Sequence, residues 1–254
     1  MITYTVEEQV ATITIDDPER RNPLSNAAME ELAHAIRRSA ADDVRVVVIT
    51  GAGDRAFSAG GDLSGGFVDD PLPGHTARGA LADVFRAMKA NPKPIVARVN
   101  GAALGGGFGL AVAADITIAR EDATMGTPEI DLGLWPMMIS AVLLRAMPRK
   151  VLVDMMMTGR TISAAQAAEL GLVTRAVPAA ELDAEVTEVT SVLRSKSPAA
   201  LALGKSAFSA VDDLDLETSL DFLQAGLTAT ALTEDAAEGV DAFLSKRQPE
   251  WKGR

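Results

Sequence analysis

The chain has 254 residues, of which 48% are hydrophobic and 23% charged, and its formal net charge is −11. This composition is typical of a folded globular protein, and the acidic charge argues against nucleic-acid binding, which requires a basic surface. The absence of cysteine excludes disulfides, thiolate catalysis and cysteine-ligated zinc. Two histidines, His34 and His75, leave little for a histidine-based triad or a metal site.

No apolar run reaches the roughly 18–20 residues that a membrane-spanning helix needs. The first ten residues, MITYTVEEQV, lack the basic and then apolar pattern of a secretion signal. We therefore expect a cytoplasmic protein with no membrane partner and no nucleic-acid partner.

Strands and helices alternate along the first two-thirds of the chain. Alternating β-branched residues or continuous apolar runs predict strands at residues 2–6, 10–15, 44–50, 94–99, 115–119, 123–126 and 172–177. Apolar residues at helical spacing predict helices that start at Asn26 and Pro198 and others that cover residues 75–90, 108–114, 139–147, 149–157, 161–168, 218–231 and 234–244. The glycine- or proline-rich segments 51–66 and 127–138 are predicted to be loops.

The pattern becomes purely helical after Pro178. Serines precede two of the predicted helices as N-caps, Ser25 and Ser197, and Ser163 with Gln166 has the spacing of a capping box. The composition shift at residue 178 predicts an α/β core over residues 1–178 and a helical appendage over residues 179–254.

The stretch NGAALGGGFGL, residues 100–110, follows a predicted buried strand and opens a predicted helix. Three successive glycines at the start of a helix are costly, at about 1 kcal/mol each against alanine, so they need a local reason. One reason is that a negatively charged oxygen approaches the free N–H groups of the first turn. The alternative is close packing of the helix against a strand.

A second glycine-rich segment, GAGDRAFSAGGDLSGG, also follows a predicted strand, so the two segments can place two N–H donors around one oxygen. Neither segment has a clean phosphate-binding glycine motif, and Ser58 has neither a neighbouring base nor a GxSxG context. The remaining chemical group is Glu129, which lies in a proline-fixed loop after a short strand. Two amide donors and one carboxylate suffice to remove a proton α to a thioester and to stabilise the enolate. The alternative is that Glu129 is a solvated loop residue.

Several motifs along the chain resemble those of the crotonase, or enoyl-CoA hydratase/isomerase, superfamily. They are GAGDRAFSAGGDL, KPIVARVNGAALGGGFGLAVAADI, GTPEIDLGLWP, MTGRTISAAQAAELGLV and EDAAEGVDAFLSKR. The resemblance covers nearly the whole chain in the family's order. It implies an α/β fold with a right-handed spiral of ββα turns and an all-helical C-terminal trimerisation region.

The resemblance also implies roles for individual residues. The amides of Gly61 and Gly106 would hold the thioester carbonyl of a coenzyme A ester, and Glu129 would be the acid/base. The substrate- or CoA-binding residues would be Arg20 and Arg21 at the CoA phosphates, Ala59, Gly60 and Leu63 near adenine and pantetheine, Asp62 as a fixing residue of the loop, Pro128 before the glutamate, and Lys246 facing a neighbouring subunit's CoA. No metal and no separate cofactor are implied, since coenzyme A belongs to the substrate.

Two positions depart from the hydratase pattern. Hydratases of the family carry a second glutamate where this chain has Gly109, and a glycine beside the reacting water where it has Met137. We expect Gly109 to leave room for an acyl group, and Trp135 and Met137 to form apolar walls.

One carboxylate without a held water favours Δ3–Δ2 double-bond isomerisation of enoyl-CoA. The alternatives are hydration of enoyl-CoA, a low-turnover acyl-CoA-binding protein, and decarboxylase or dehalogenase chemistry, for which Asp131 is a weak nucleophile candidate. The resemblance further implies a homotrimer or a dimer of trimers, and a pocket whose depth depends on the loop of residues 64–80.

Overall fold

The computed structural model describes residues 1–65, 75 and 78–254. The strands are β1 (Ile2–Glu7), β2 (Val10–Ile15), β3 (Val46–Gly51), β4 (Ala56–Ser58), β5 (Ile95–Val99), β6 (Ala102–Leu104), β7 (Ile116–Arg120), β8 (Thr124–Gly126), β9 (Thr161–Ser163) and β10 (Arg175–Val177). The helices are α1 (Asn26–Ala41), α2 (Ala80–Ala90), α3 (Gly106–Val112), α4 (Met137–Ala146), α5 (Arg149–Thr158), α6 (Ala164–Glu169), α7 (Leu182–Arg194), α8 (Pro198–Val211), α9 (Leu216–Ala231) and α10 (Glu234–Leu244).

The larger sheet has the strand order β1-β2-β3-β5-β7-β10, and every neighbouring pair except the β1–β2 hairpin is parallel. All six residues of β3 are buried because both faces of the sheet are covered. Val47 and Ile49 face the main core, whereas Val46 and Val48 face α7. The second face is built by Val46, Val48, Val96, Ile118, Leu182, Val186 and Val189.

The smaller sheet has the order β4-β6-β8-β9, in which β4, β6 and β8 run parallel and β9 is antiparallel to β8. The prediction that segment 51–66 is only a loop is wrong, because β4 lies within it, and β6 was not predicted. The starts of β4 and β6 pack closely at Gly101, where a Cβ atom would lie 2.7 Å from the backbone nitrogen of Ala56. The glycines of this region therefore reflect close backbone packing between two short strands and not only a loop.

The predicted helix caps are confirmed. The hydroxyls of Ser25 and Ser197 accept hydrogen bonds from the backbone at the third residue after them, and Ser163 and Gln166 form the capping box. The helix predicted over residues 161–168 begins later than expected, because its first residues form β9. None of the helices in the described part of the chain is long and apolar enough to cross a membrane.

The region after residue 178 is helical, as predicted, and the division of the chain there stays a prediction. Its first helix, α7, packs on the larger sheet. The last three helices, α8, α9 and α10, and the turns after them instead carry large apolar side chains that are 70% or more exposed: Phe208, Leu216, Leu227, Leu232, Phe243 and Leu244.

Candidate active site

The predicted catalytic residues meet at one edge of the smaller sheet. Gly61 follows β4, Gly106 follows β6, and Glu129 follows β8. Because these three strands are parallel, their carboxyl ends lie at the same edge. Three segments that are distant in sequence thus contribute to a single site.

The amides of Gly61 and Gly106 lie close together. A Cβ atom placed on Gly106 would be 3.8 Å from the Gly61 nitrogen, and one placed on Gly60 would be 3.3 Å from the Gly106 nitrogen. Among the hydrogen bonds of the described residues, none has the Gly61 N–H as donor. Gly106 is the first residue of α3, where the N–H groups have no partner within the helix. A Cβ atom on Gly61 would meet nothing within 4 Å, so the side-chain position of this residue is open.

The Glu129 carboxyl group lies against the start of α3. Glu129 belongs to a 3₁₀ helix, Pro128–Leu132, and its Oε1 would be 2.9 Å from a Cβ atom on Gly105. Gly105 has a φ of +51°, so glycine is required there for both conformation and space.

Burial sets the acidity of Glu129. Its Oε2 is buried and has no hydrogen-bond partner among the described residues, a property shared by the nearby Thr127 Oγ1. Loss of solvation raises the pKa of Glu129, because burial penalises the charged form. A carboxylate with a raised pKa beside two free amides can accept a proton while the amides hold negative charge.

The surroundings of Gly109 differ from the expectation of room for an acyl group. A Cβ atom on Gly109 would lie 2.8 Å from Ile139 Cβ and 3.1 Å from Phe85 Cζ. Helix α4 therefore packs directly onto the backbone of α3, and the space that Gly109 leaves is filled by Ile139. No feature of the sequence connects positions 109 and 139, so this contact was not predicted.

Arg20 is engaged within the protein. Its Nη2 donates to both carboxylate oxygens of Asp62, at 2.9 Å each, and to Ser64 Oγ at 3.1 Å. Asp62 also accepts from the backbone N–H and the hydroxyl of Ser64, so residues 62–64 form a closed turn. Ser64 was not among the predicted site residues, although aspartate followed two positions later by serine is a turn signal.

Arg21 faces a different surface from Arg20. It lines a groove of about 380 Å³ with Arg55, Arg120 and the start of β6 and β8, at the opposite ends of the strands from Gly61 and Gly106. The groove thus places Arg21 away from the amide pair, although its backbone oxygen accepts a hydrogen bond from Ala59 N–H at 2.9 Å.

The other predicted binding residues lie on or near the surface. Leu63, Trp135, Met137 and Lys246 are exposed, as are both histidines. Ala59 is exposed beside the buried Gly60, and Pro128 is half-buried. Most of the loop of residues 64–80 lies outside the described residues. Within residues 1–65, 75 and 78–254 no group of side chains has the composition of a metal site.

Comparisons of the sequence with known proteins all point to the same family. The sequence profile of the enoyl-CoA hydratase/isomerase family matches residues 5–254. The chain is 36% identical over 250 residues to a putative enoyl-CoA hydratase of Thermus thermophilus. The aligned part covers 94% of this chain and 96% of the relative. It is 34% identical over 256 residues to the carnitinyl-CoA dehydratase of Proteus mirabilis, with 98% and 97% covered.

Solved structures agree with the sequence relatives. An enoyl-CoA hydratase from Mycobacterium smegmatis superposes with a TM-score of 0.94 at 33% identity, over 98% of each chain. The human enoyl coenzyme A hydratase domain-containing protein 3 also reaches 0.94, at 31% identity over 98% of this chain and 99% of the other. The chain therefore has the crotonase fold and belongs to the enoyl-CoA hydratase/isomerase family.

Proposed function

We propose that this protein moves the double bond of an enoyl-CoA thioester between the Δ3 and Δ2 positions, with Glu129 as the single acid/base. The observation that carries the proposal is the buried Glu129 Oε2, which has no hydrogen-bond partner among the described residues, at the edge where the Gly61 and Gly106 amides meet. A base of raised pKa beside two hydrogen-bond donors fits the removal of a proton next to a thioester carbonyl.

The reaction needs two proton transfers at one carboxyl group. The Glu129 carboxylate takes a proton from C2 of the 3-enoyl thioester, and the electron pair of that bond moves toward the carbonyl oxygen. The amides of Gly61 and Gly106 stabilise the negative charge on this oxygen. The Glu129 carboxylic acid then returns the proton to C4, which leaves the double bond between C2 and C3. No atom is gained or lost, so water is not consumed.

Packing around Gly109 supports a reaction without a second carboxylate. Ile139 and Phe85 fill the space beside this residue, and Asp62, the acid next to Gly61, is already bonded to Arg20 and Ser64. The proposal therefore assigns both proton transfers to Glu129.

Hydration is the second candidate, because relatives are named as enoyl-CoA hydratase and carnitinyl-CoA dehydratase. The two functions differ in their products. We expect the purified protein to raise the absorbance of the conjugated thioester when given a 3-enoyl-CoA, and to leave the absorbance of crotonyl-CoA nearly constant. Hydration of crotonyl-CoA as fast as isomerisation would contradict the single-base proposal. Calorimetric binding of both thioesters without turnover would instead indicate a binding protein.

The proposal includes assembly into a homotrimer or a dimer of trimers. Six large apolar side chains of α8, α9, α10 and the turns after them are 70% or more exposed, and groups of exposed apolar side chains are typical of protein–protein interfaces. Burial against other copies would stabilise these helices and bring Lys246 near a neighbouring chain. Light scattering is expected to give three or six times the mass of the chain, and a monomer at micromolar concentration would contradict this part of the proposal.

A further inference from the structure

The Arg20 guanidinium connects two turns that are far apart in sequence. Arg20 ends a 3₁₀ helix, Pro18–Arg20, whose N-cap is Asp17. From there its Nη2 reaches Asp62 and Ser64, just past the amide of Gly61. The side chain of Asp62 is only 11% exposed, whereas that of Arg20 is 52% exposed. The ion pair between Arg20 and Asp62 therefore lies at the edge of the site, and its carboxylate is largely buried.

The backbone on either side of Gly61 is held by the same pair of segments. Leu24 N–H donates to Gly60 O at 2.7 Å, and Asp62 N–H donates to Leu24 O at 3.0 Å. These two bonds flank Gly61 and set the direction of its N–H. Gly61 has no side chain that could add a further contact. The side-chain bonds of Asp62 to Arg20 and Ser64 are the next restraint along the chain.

The electrostatics of the cluster agree with a restraint within the protein. Hydrogen bonds from Ser64 and from Arg20 lower the pKa of Asp62, so the carboxylate is charged at neutral pH. This charge faces the Arg20 guanidinium and neutralises it. All three side-chain hydrogen bonds from Arg20 come from Nη2, and its side chain is 52% exposed. Binding of a coenzyme A phosphate is therefore the alternative role that a test has to separate from positioning.

We infer that Arg20 is a positioning residue that fixes the Gly61 amide through Asp62 and Ser64. The inference rests on the proposed function, in which Gly61 holds the thioester oxygen.

The two roles predict different kinetics when the nucleotide part of the substrate is removed. The test compares a 3-enoyl-CoA with the matching 3-enoyl-pantetheine, which has the same thioester and no phosphates. For Arg20→Ala we expect kcat to fall about tenfold to a hundredfold with both substrates, since a misplacement of about 1 Å has effects of this size. KM for the enoyl-CoA should change little. Arg37→Ala, at an exposed arginine on α1, is the matched control and should behave as the wild type.

A spectroscopic measurement reports the amide directly. The infrared band of the thioester carbonyl of bound butyryl-CoA should be shifted from its free value in the wild type and should move back toward that value in Arg20→Ala. A wild-type protein that binds butyryl-CoA without any shift would contradict the proposed function. A shift that survives unchanged in Arg20→Ala would contradict only the positioning role.

Arg20→Lys keeps the test decisive if Arg20→Ala does not fold. Lysine retains a charge that can attract a phosphate, but its nitrogen ends one bond short of the Nη2 position that contacts Asp62 and Ser64. A positioning role predicts a lower kcat with both substrates. A wild-type kcat combined with a KM that rises only for the enoyl-CoA in either variant would overturn the inference.

Discussion

Glu129→Gln is expected to lower kcat for 3-enoyl-CoA isomerisation by about 10²–10⁴-fold, the usual contribution of a positioned acid/base. The amide of glutamine has nearly the shape of the carboxyl group but does not accept and return a proton. Among the described residues, Oε2 of Glu129 has no hydrogen-bond partner, so the substitution breaks no bond to that oxygen. Steady-state assays with the absorbance of the conjugated thioester measure the effect.

Stability and a matched control separate chemistry from misfolding. Burial raises the pKa of Glu129, so the folded state binds its proton more tightly than the unfolded state, and the charged form destabilises the fold above that pKa. Glutamine removes this cost, and the melting temperature at neutral pH should be unchanged or higher. Glu188→Gln, at an exposed glutamate on α7, should retain full activity. Isomerisation within tenfold of the wild type in Glu129→Gln would rule out the proposed base.

The same raised pKa predicts the pH dependence. The base form of Glu129 is lost as the pH falls through its pKa, so kcat/KM should decline on the acid side. The decline should be centred above the value of an ordinary glutamate, about 4.3. A profile of kcat/KM against pH, corrected for acid unfolding by circular dichroism, measures this position. A centre at or below the ordinary value would contradict the effect of burial.

Gly106→Pro is expected to lower kcat by about 10²–10³-fold, the effect of losing one oxyanion donor. Proline removes the N–H group, and it is tolerated at the first position of a helix, where Gly106 lies. A Cβ atom at this position lies 3.4 Å from Leu81 Cδ2, 3.5 Å from Leu24 Cδ1 and 3.8 Å from the Gly61 nitrogen, which are ordinary contacts.

Gly106→Ala is the matched control for the proline variant, because it adds the Cβ atom and keeps the N–H group. We expect it to retain kcat within a few-fold and to fold as the wild type. Equal losses in the alanine and proline variants would show that the side chain, and not the missing N–H group, is responsible. An unaffected proline variant would remove the Gly106 amide from the mechanism.

Regular elements of the fold were predictable where the local pattern is strong. The hairpin, the buried strand β3 and the caps at Ser25 and Ser197 follow from alternation, continuous apolar runs and capping chemistry. Strands β4 and β6 have only three residues each and lie among glycines, so they show no periodicity. Their existence depends on pairing between distant segments, which a single segment does not encode.

The candidate site was predictable to a similar extent. The glycine segments and Glu129 stood out because glycine is costly in a helix and because a carboxylate follows a short strand. The contact of Gly109 with Ile139 and the bond of Arg20 to Asp62 join residues 30 and 42 positions apart. Contacts between residues so far apart in sequence depend on how the strands and helices pack together. The identity of one residue does not predict which residue it will contact.

In the proposed mechanism, the parallel arrangement of β4, β6 and β8 separates binding of the thioester carbonyl from transfer of the proton. The amides come from the turns after β4 and β6, and the carboxyl group comes from the segment after β8. The amide groups belong to the backbone and persist under most substitutions, whereas the proton carrier is one side chain. New chemistry on the same class of thioester can therefore arise by exchanging the segment of residues 127–138 alone, while the two oxygen-binding turns stay unaltered.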